Sequence, residues 1–306
     1  MIKNLLYVVT DGILDDLARK SIIGASNIYH QAKPMITIAT LNSDINPEDA
    51  LFSSIHKDCR VNVLKLTEQD LIKVFPNLMQ KRLVETDQKT KVSHWENAKE
   101  KNQHLAEFSD LAIFYMMHVM PDLEFLYMDS DILPIMPMQS EESFIVSKDV
   151  GVGNKEYINS SFIFVPKGYK DVKQRWISFL ENEILNKYAG RYGTPGPTAF
   201  DKFLNKPKDL LGFPLKVLES NVINKLTFTQ VHEAALIAID KKVPLLFDID
   251  HKGPGLNIPR SAITSAITKK GVNELEVLLG LVTPQSAQVL DFKFYPKQVK
   301  GITYYD

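Results

Sequence analysis

Apolar runs of strand length alternate with amphipathic stretches of helix length, and this alternation constrains the fold more than any other feature of the chain. "LLYVVT" (5–10) is a compact buried strand, "LDDLARKSIIGASNIYHQA" (14–32) repeats apolar residues at helical spacing, and "MITIATL" (35–41) returns to a strand. A β-α-β opening joins parallel strands through a crossover helix, so it predicts a parallel sheet covered on both faces. "VNVLKL" (61–66) reads as a third strand and the polar stretch 84–103 as a solvated helix or a mobile loop, its many helix formers favouring the helix. "HLAEFSDLAIFYMMHVM" (104–120) reads as a helix with a wide apolar face, turned at Pro121 and Asp122 into the strand "EFLYM". Further strands are predicted at 158–165 and 243–249, with a helix over 171–188 between them. The expectation is one α/β domain over 1–306, Rossmann-like, with a mostly parallel central sheet flanked by helices. Residues 261–306 match no pattern and read as a C-terminal appendage.

At 306 residues the chain is long enough to bury a substantial core. Its formal net charge of −1 supplies no basic field for nucleic acid, which points to small-molecule chemistry. Cys59 is the only cysteine, so no internal disulfide forms, in keeping with a reducing compartment. The first apolar run meets Asp11, Asp15 and Asp16 where a signal peptide would need its cleavage region. No run approaches the ~18 apolar residues of a spanning helix, since "LAIFYMMHVM" (111–120) stops at Pro121. A chain without a membrane span is expected in a bacterial cytoplasm, or as a secreted effector acting in a host cytosol.

"FLYMDSDIL" (125–133) ends a buried strand on two like charges, Asp129 and Asp131. Alternate residues of an extended segment point the same way, so the two carboxylates repel unless a cation or a proton lies between them. A divalent ion is the simplest resolution. Oxygen ligands suit Mg²⁺ or Mn²⁺, which are completed by water and substrate phosphates, so the pair suggests a nucleotide diphosphate. An EF-hand is disfavoured by Pro134 and Ser140 at positions needing Gly and an acid. A phosphohydrolase of the haloacid dehalogenase type also places Asp-x-Asp after a hydrophobic strand, and "LLFDID" (245–250) repeats that pattern. Leu133 stands where that motif has Thr or Val, and the second match leaves only 251–306 for the rest of such an enzyme.

The block "SDLAIFYMMHVMPDLEFLYMDSDILPI" (109–135) resembles the nucleotide-sugar site of glycosyltransferases of the GT-A fold: the glycogenin-like family 8, family 32, and the bacterial toxins that glycosylate host proteins. "LLYVVTDG", "INSSFIFVPKG" (158–168), "TPGPTAFDKFL" (194–204) and "DIDHKGPG" (248–255) extend the likeness in the same order over roughly residues 5–260. The chain departs from family 8 at Ile113, where a basic residue is usual, and at Asn257, Ile258 and Pro259, which replace Lys-Pro-Trp; Lys252 or Arg260 is the candidate for the missing positive charge.

The resemblance implies a metal-dependent hexosyltransferase that takes a UDP-sugar donor and leans towards retention of anomeric configuration. The acceptor, whether glycan, lipid or protein, is not legible. Asp129 would contact the ribose and the metal, Asp131 the metal, Asp110 the ribose, and Thr10 and Asp11 the base. Asn159 and Ser160 would bond donor-sugar hydroxyls, Asp201 would orient the sugar, His251 would be a third metal ligand, and Lys252 would face the phosphates. The alternatives are a haloacid-dehalogenase-like phosphohydrolase and a nucleotide-sugar binding protein with a degenerate site. On residue type alone, Asp110 and Asp201 also suit helix N-caps, Thr10, Asp11 and Asn159 turns, and His251 a packed or surface position. Tyr115, Tyr127 and Phe162 read as core, Trp176 as packing, and Trp95 as packing or a base platform.

Overall fold

A computed structural model describes residues 1–9, 14–77, 103–150, 155–184, 197–205, 211–224, 226–241, 245–247, 253–272, 298–299 and 302–304. Eight strands come first in chain order: β1 (Asn4–Val8), β2 (Met35–Leu41), β3 (Arg60–Leu66), β4 (Phe125–Met128), β5 (Ile132–Pro134), β6 (Phe144–Val150), β7 (Glu156–Val165) and β8 (Leu215–Leu218). All but β5 form a seven-stranded sheet in the order β3-β2-β1-β4-β7-β6-β8. β7 runs antiparallel to both its neighbours, and every other pairing in the sheet is parallel. The α/β architecture with a mostly parallel, helix-flanked central sheet is therefore the one the alternation predicts.

Both faces of the sheet are covered, and the strand residues divide between them with a period of two. Leu6 and Val8 of β1, Phe125 and Tyr127 of β4, and Ile163 and Val165 of β7 face a core that includes Phe108, Leu111, Ala112 and Phe114 of the helix Gln103–Val119. Leu5 and Tyr7, Leu126 and Met128, and Phe162 and Phe164 face the opposite core, filled by Ala18, Ile22, Ala25 and Tyr29 of the helix Asp16–Tyr29. That helix starts where the Asp15 carboxylate accepts the Ala18 N–H at 2.7 Å, an ordinary N-cap. On the first face Trp176 of the helix Lys170–Phe179 is fully buried among Phe114, Phe144, Phe200 and Phe203, with ring centroids 4.7–6.1 Å from its own. Lys173 of the same helix is buried, and its ammonium donates to the carbonyls of Pro121 at 2.5 Å and Pro166 at 3.0 Å.

Three features depart from the sequence reading. The run at 243–249 does supply a strand, β9 (Leu245–Phe247), but β8 holds the sheet edge beside β6, and β9 instead pairs antiparallel with Ile302–Tyr304 in a separate small sheet. The helix expected over 171–188 leaves α geometry at Phe179 and continues as a π turn over Leu180–Ile184. β6, β8 and the helices Phe228–Lys241 and Arg260–Lys270 have no counterpart in the sequence reading. The helix Arg260–Lys270 begins the stretch expected as an appendage. It packs Ala262, Ile263, Ala266 and Ile267 into a third core with Val231, Ala234 and Ala235 of the helix Phe228–Lys241, and with Leu256 and Ile258.

β5 pairs antiparallel with β10 (Gly255–Asn257), which brings the C-terminal part of the described chain onto the turn that follows β4. The approach is close. A Cβ on Gly255 would lie 2.7 Å from Ile132 Cγ2, and Ile132 is fully buried. Gly255→Ala is therefore expected to cost about 1–3 kcal/mol through overpacking. A denaturation midpoint equal to that of the unmodified protein would show that β10 and β5 separate freely.

Candidate active site

The two aspartates of the doublet sit where ligands of open α/β sheets bind, beyond the carboxyl end of a central strand. β4 ends at Met128, and Ile132 N–H donates to the Asp129 carbonyl at 3.0 Å, so Asp129–Ile132 is a turn and not the extended segment expected. The backbone is pinned on both sides. Asp129 N–H donates to the Ser161 carbonyl of β7 at 2.8 Å, and Ile258 N–H donates to the Asp131 carbonyl at 2.9 Å.

The carboxylates are partly exposed as residues, yet their charged ends are poorly solvated. The Asp129 Oδ1 accepts a short hydrogen bond from the Tyr127 hydroxyl. Burial, and the Asp129 charge beside it, hold Tyr127 well above its usual range, so the phenol remains a donor at any ordinary pH. Asp131 Oδ1 is buried and has no hydrogen-bond partner. Burial raises the Asp129 carboxyl against the opposing pull of Tyr127 and Arg260. Burial first, and the Asp129 charge second, push Asp131 up to about 7, against the pull of the Arg260 charge and of the Asp131 and Arg260 backbone N–H groups. The pair thus carries an electrostatic load that a proton or a cation relieves.

Arg260, at the start of its helix, closes the turn from the other side. Its Nη2 donates to Ser130 Oγ at 3.1 Å and to Asp15 Oδ1 at 3.3 Å, while Nε lies 3.0 Å from Asp15 Oδ2. Asp15 therefore caps one helix and anchors the arginine that faces the doublet.

The sugar-side candidates gather on β7. The β6–β7 pairing passes from Val146↔Ile163 to Ser147↔Asn159, so Ser160, Ser161 and Phe162 bulge out of that ladder beside the doublet. Ser160 is buried, as is Ser161, whose hydroxyl has no partner. Asn159 Nδ2 donates to Asp149 Oδ2 at 3.0 Å, and its Oδ1 accepts the Ser161 N–H at 3.2 Å, which leaves capacity for one further bond at each end of the amide. Asp201 lies inside the helix Pro197–Leu204 and is not its N-cap. Its Oδ1 accepts the Ile158 N–H of β7 at 3.1 Å and an Asn205 N–H at 2.7 Å, so it fastens that helix to the bulged strand. Asp110, also within a helix, is buried on the Tyr127 side of the sheet and contributes to that phenol's electrostatic environment. Thr10, Asp11, His251, Lys252 and Trp95 lie outside the described residues.

Two oxygen-ligand carboxylates, one with an orphaned buried oxygen, suit a hard divalent cation such as Mn²⁺ or Mg²⁺. Among the described residues no group of three or more His, Cys, Asp or Glu side chains is arranged to hold one. No helix among them is long and apolar enough to cross a membrane.

No protein-family model matches the chain, and no curated protein matches it. Among solved structures it is similar to PaToxG glycosyltransferase, at 11% identity over 94% of this chain and 86% of that one, with a TM-score of 0.43. It is similar to mouse xyloside xylosyltransferase 1, at 11% identity over 72% and 86% of the two chains and a TM-score of 0.41. It is also similar to the galactosyltransferase LgtC solved with donor and acceptor sugar analogs, at 13% identity over 71% and 74% and a TM-score of 0.36.

Proposed function

We propose that the chain is a GT-A-type glycosyltransferase that moves a hexose from a UDP-sugar to an acceptor, with a divalent cation held by Asp129 and Asp131. The observation that carries this reading is the doublet itself: two partly desolvated carboxylates in one turn at the carboxyl edge of a mostly parallel sheet, one of them with a buried oxygen lacking any partner. The motif resemblance over 109–135 supplies the substrate class.

A divalent ion held there would neutralise a donor diphosphate as the glycosidic bond breaks, stabilising the leaving group most where its charge is greatest. The chain's own residues do the rest. Tyr127 fixes the Asp129 carboxylate, Asn159 and Ser160 offer polar groups to the donor sugar, and Asp201 holds the bulged strand in place. Asp110 faces the ribose in this reading. Retention of configuration and the contributions of Thr10, Asp11, His251 and Lys252 belong to the same proposal. The phosphohydrolase alternative gains no support: its second motif follows β9, which lies outside the central sheet.

The test is release of free UDP from UDP-glucose or UDP-N-acetylglucosamine with Mn²⁺, lost in excess EDTA and restored by added metal. A degenerate binding protein would bind the donor and release none, and a phosphohydrolase would instead cleave p-nitrophenyl phosphate.

The Asp131 carboxyl provides a second, independent check. Its folded value near 7 lies above the ordinary carboxylate value of 3.8, so its neutral form stabilises the metal-free fold fully below about 4, and that contribution is lost as pH rises through 7. A metal ligand must be deprotonated, so Mn²⁺ binding at pH 6 should release on the order of one proton, and at pH 8.5 almost none. Titration calorimetry in buffers of different ionisation enthalpy reads this directly. Equal proton release at both pH values would contradict the raised carboxyl of Asp131.

A further inference from the structure

We infer that Arg260 is a resident counter-cation of the doublet, anchored by Asp15, and that it makes metal binding conditional on an anionic ligand; this rests on the metal reading given above. Arg260 is bound to the Ser130 hydroxyl, the residue between the two aspartates, at 3.1 Å, and its positive charge opposes the upward push on both carboxyls. It is not a loose surface chain. The Asp15 carboxylate accepts from Nη2 and lies within ion-pair distance of Nε, and Asp15 is itself fixed as the N-cap of the helix Asp16–Tyr29.

The guanidinium is delocalised and permanently charged, so it cannot lose a proton to make room for a second cation. A divalent ion entering the doublet therefore meets a fixed positive charge hydrogen-bonded to the same turn, and the repulsion weakens the metal complex formed without substrate. An anion lying against both cations removes that repulsion. A nucleoside diphosphate supplies such charge, so metal and nucleotide are expected to strengthen each other's binding by a factor that Arg260 sets, the same factor in both directions.

The two ligand affinities separate this from a merely structural arginine. In full-length protein, Mn²⁺ affinity is measured by titration of free Mn²⁺ using its paramagnetic signal, with and without saturating UDP. Arg260→Gln is expected to bind Mn²⁺ alone about tenfold more tightly than the unmodified protein, because one nearby positive charge is gone. The strengthening of Mn²⁺ binding by UDP should shrink in the same variant. Arg260→Lys, which keeps the charge, should return both quantities towards the original values, and a thermal melt without ligands confirms that each variant is folded. Unchanged or weaker Mn²⁺ binding in Arg260→Gln, or an undiminished UDP effect, overturns the role of Arg260 while leaving the metal reading intact. If the unmodified protein takes up no Mn²⁺ with or without UDP, the metal reading fails and this inference falls with it.

Discussion

Asp131→Asn is expected to reduce turnover by roughly a thousandfold or more, because several kcal/mol of leaving-group stabilisation goes with the ligand. The substitution keeps the shape of the side chain and removes a charge that burial and Asp129 both disfavour. The metal-free variant should therefore fold normally, and at pH 8 it should be at least as stable as the parent. The sign follows from the raised carboxyl: at pH 8 the parent bears a strained charge that asparagine lacks, whereas near pH 4 both side chains are neutral and the advantage vanishes. Loss of activity with an intact or raised melting temperature at pH 8 is the predicted pairing. Near-normal turnover would take Asp131 out of the chemistry.

The second large effect lies far from the chemistry. Trp176→Ala removes the centre of an aromatic cluster in which Phe203 stacks at 10° to the indole and Phe114 meets it edge-on at 86°. A cost of about 3–5 kcal/mol is expected, enough to unfold a marginal domain near physiological temperature. Trp176→Phe should be far milder than the alanine change. The indole Nε1 is buried without a hydrogen-bond partner, so phenylalanine keeps most of the apolar contact and removes a group that is costly to bury. Chemical denaturation of both variants measures this, and an alanine variant as stable as the phenylalanine one would contradict the packing account.

The parts of the fold that were legible in the sequence are those whose pattern is local. β1, the helix Asp16–Tyr29 and β2 each declare themselves by the spacing of apolar residues, and β4 does so through an unbroken buried run. β6 is not legible because its apolar run, Phe144–Val146, is only three residues long and gives way to polar Ser147, Lys148 and Asp149 as the strand nears the carboxyl edge of the sheet. The helix Arg260–Lys270 is built on alanine, serine and threonine, so its apolar face barely stands out. Legibility of the site divides the same way. The doublet and the Asn159–Ser161 segment were visible as motifs, whereas the geometry that gives them meaning depends on contacts distant in sequence. Arg260 could be named as a replacement for a missing charge, but its bond to Ser130 spans 130 positions. Asp15 caps the helix that follows it, and the tertiary fold gives it a second role in holding that arginine. By residue type and motif Asp201 suits a sugar contact or a cap, and its link to the β7 backbone follows from helix-to-strand packing that no local pattern encodes.

The most direct test of the central claim is a thermal-shift panel of nucleotide sugars, run with and without Mn²⁺ on the unmodified protein and on Asp131→Asn. A ligand present at about 100 times its dissociation constant adds roughly 2.7 kcal/mol of stability, a shift of several degrees that such a panel resolves. The account predicts that UDP-sugars raise the melting temperature of the unmodified protein only when Mn²⁺ is present, and that this dependence disappears in Asp131→Asn. Stabilisation by UDP-sugars that is equal in excess EDTA and in the Asp131→Asn variant, or selective stabilisation by GDP-mannose over every UDP-sugar, would contradict it.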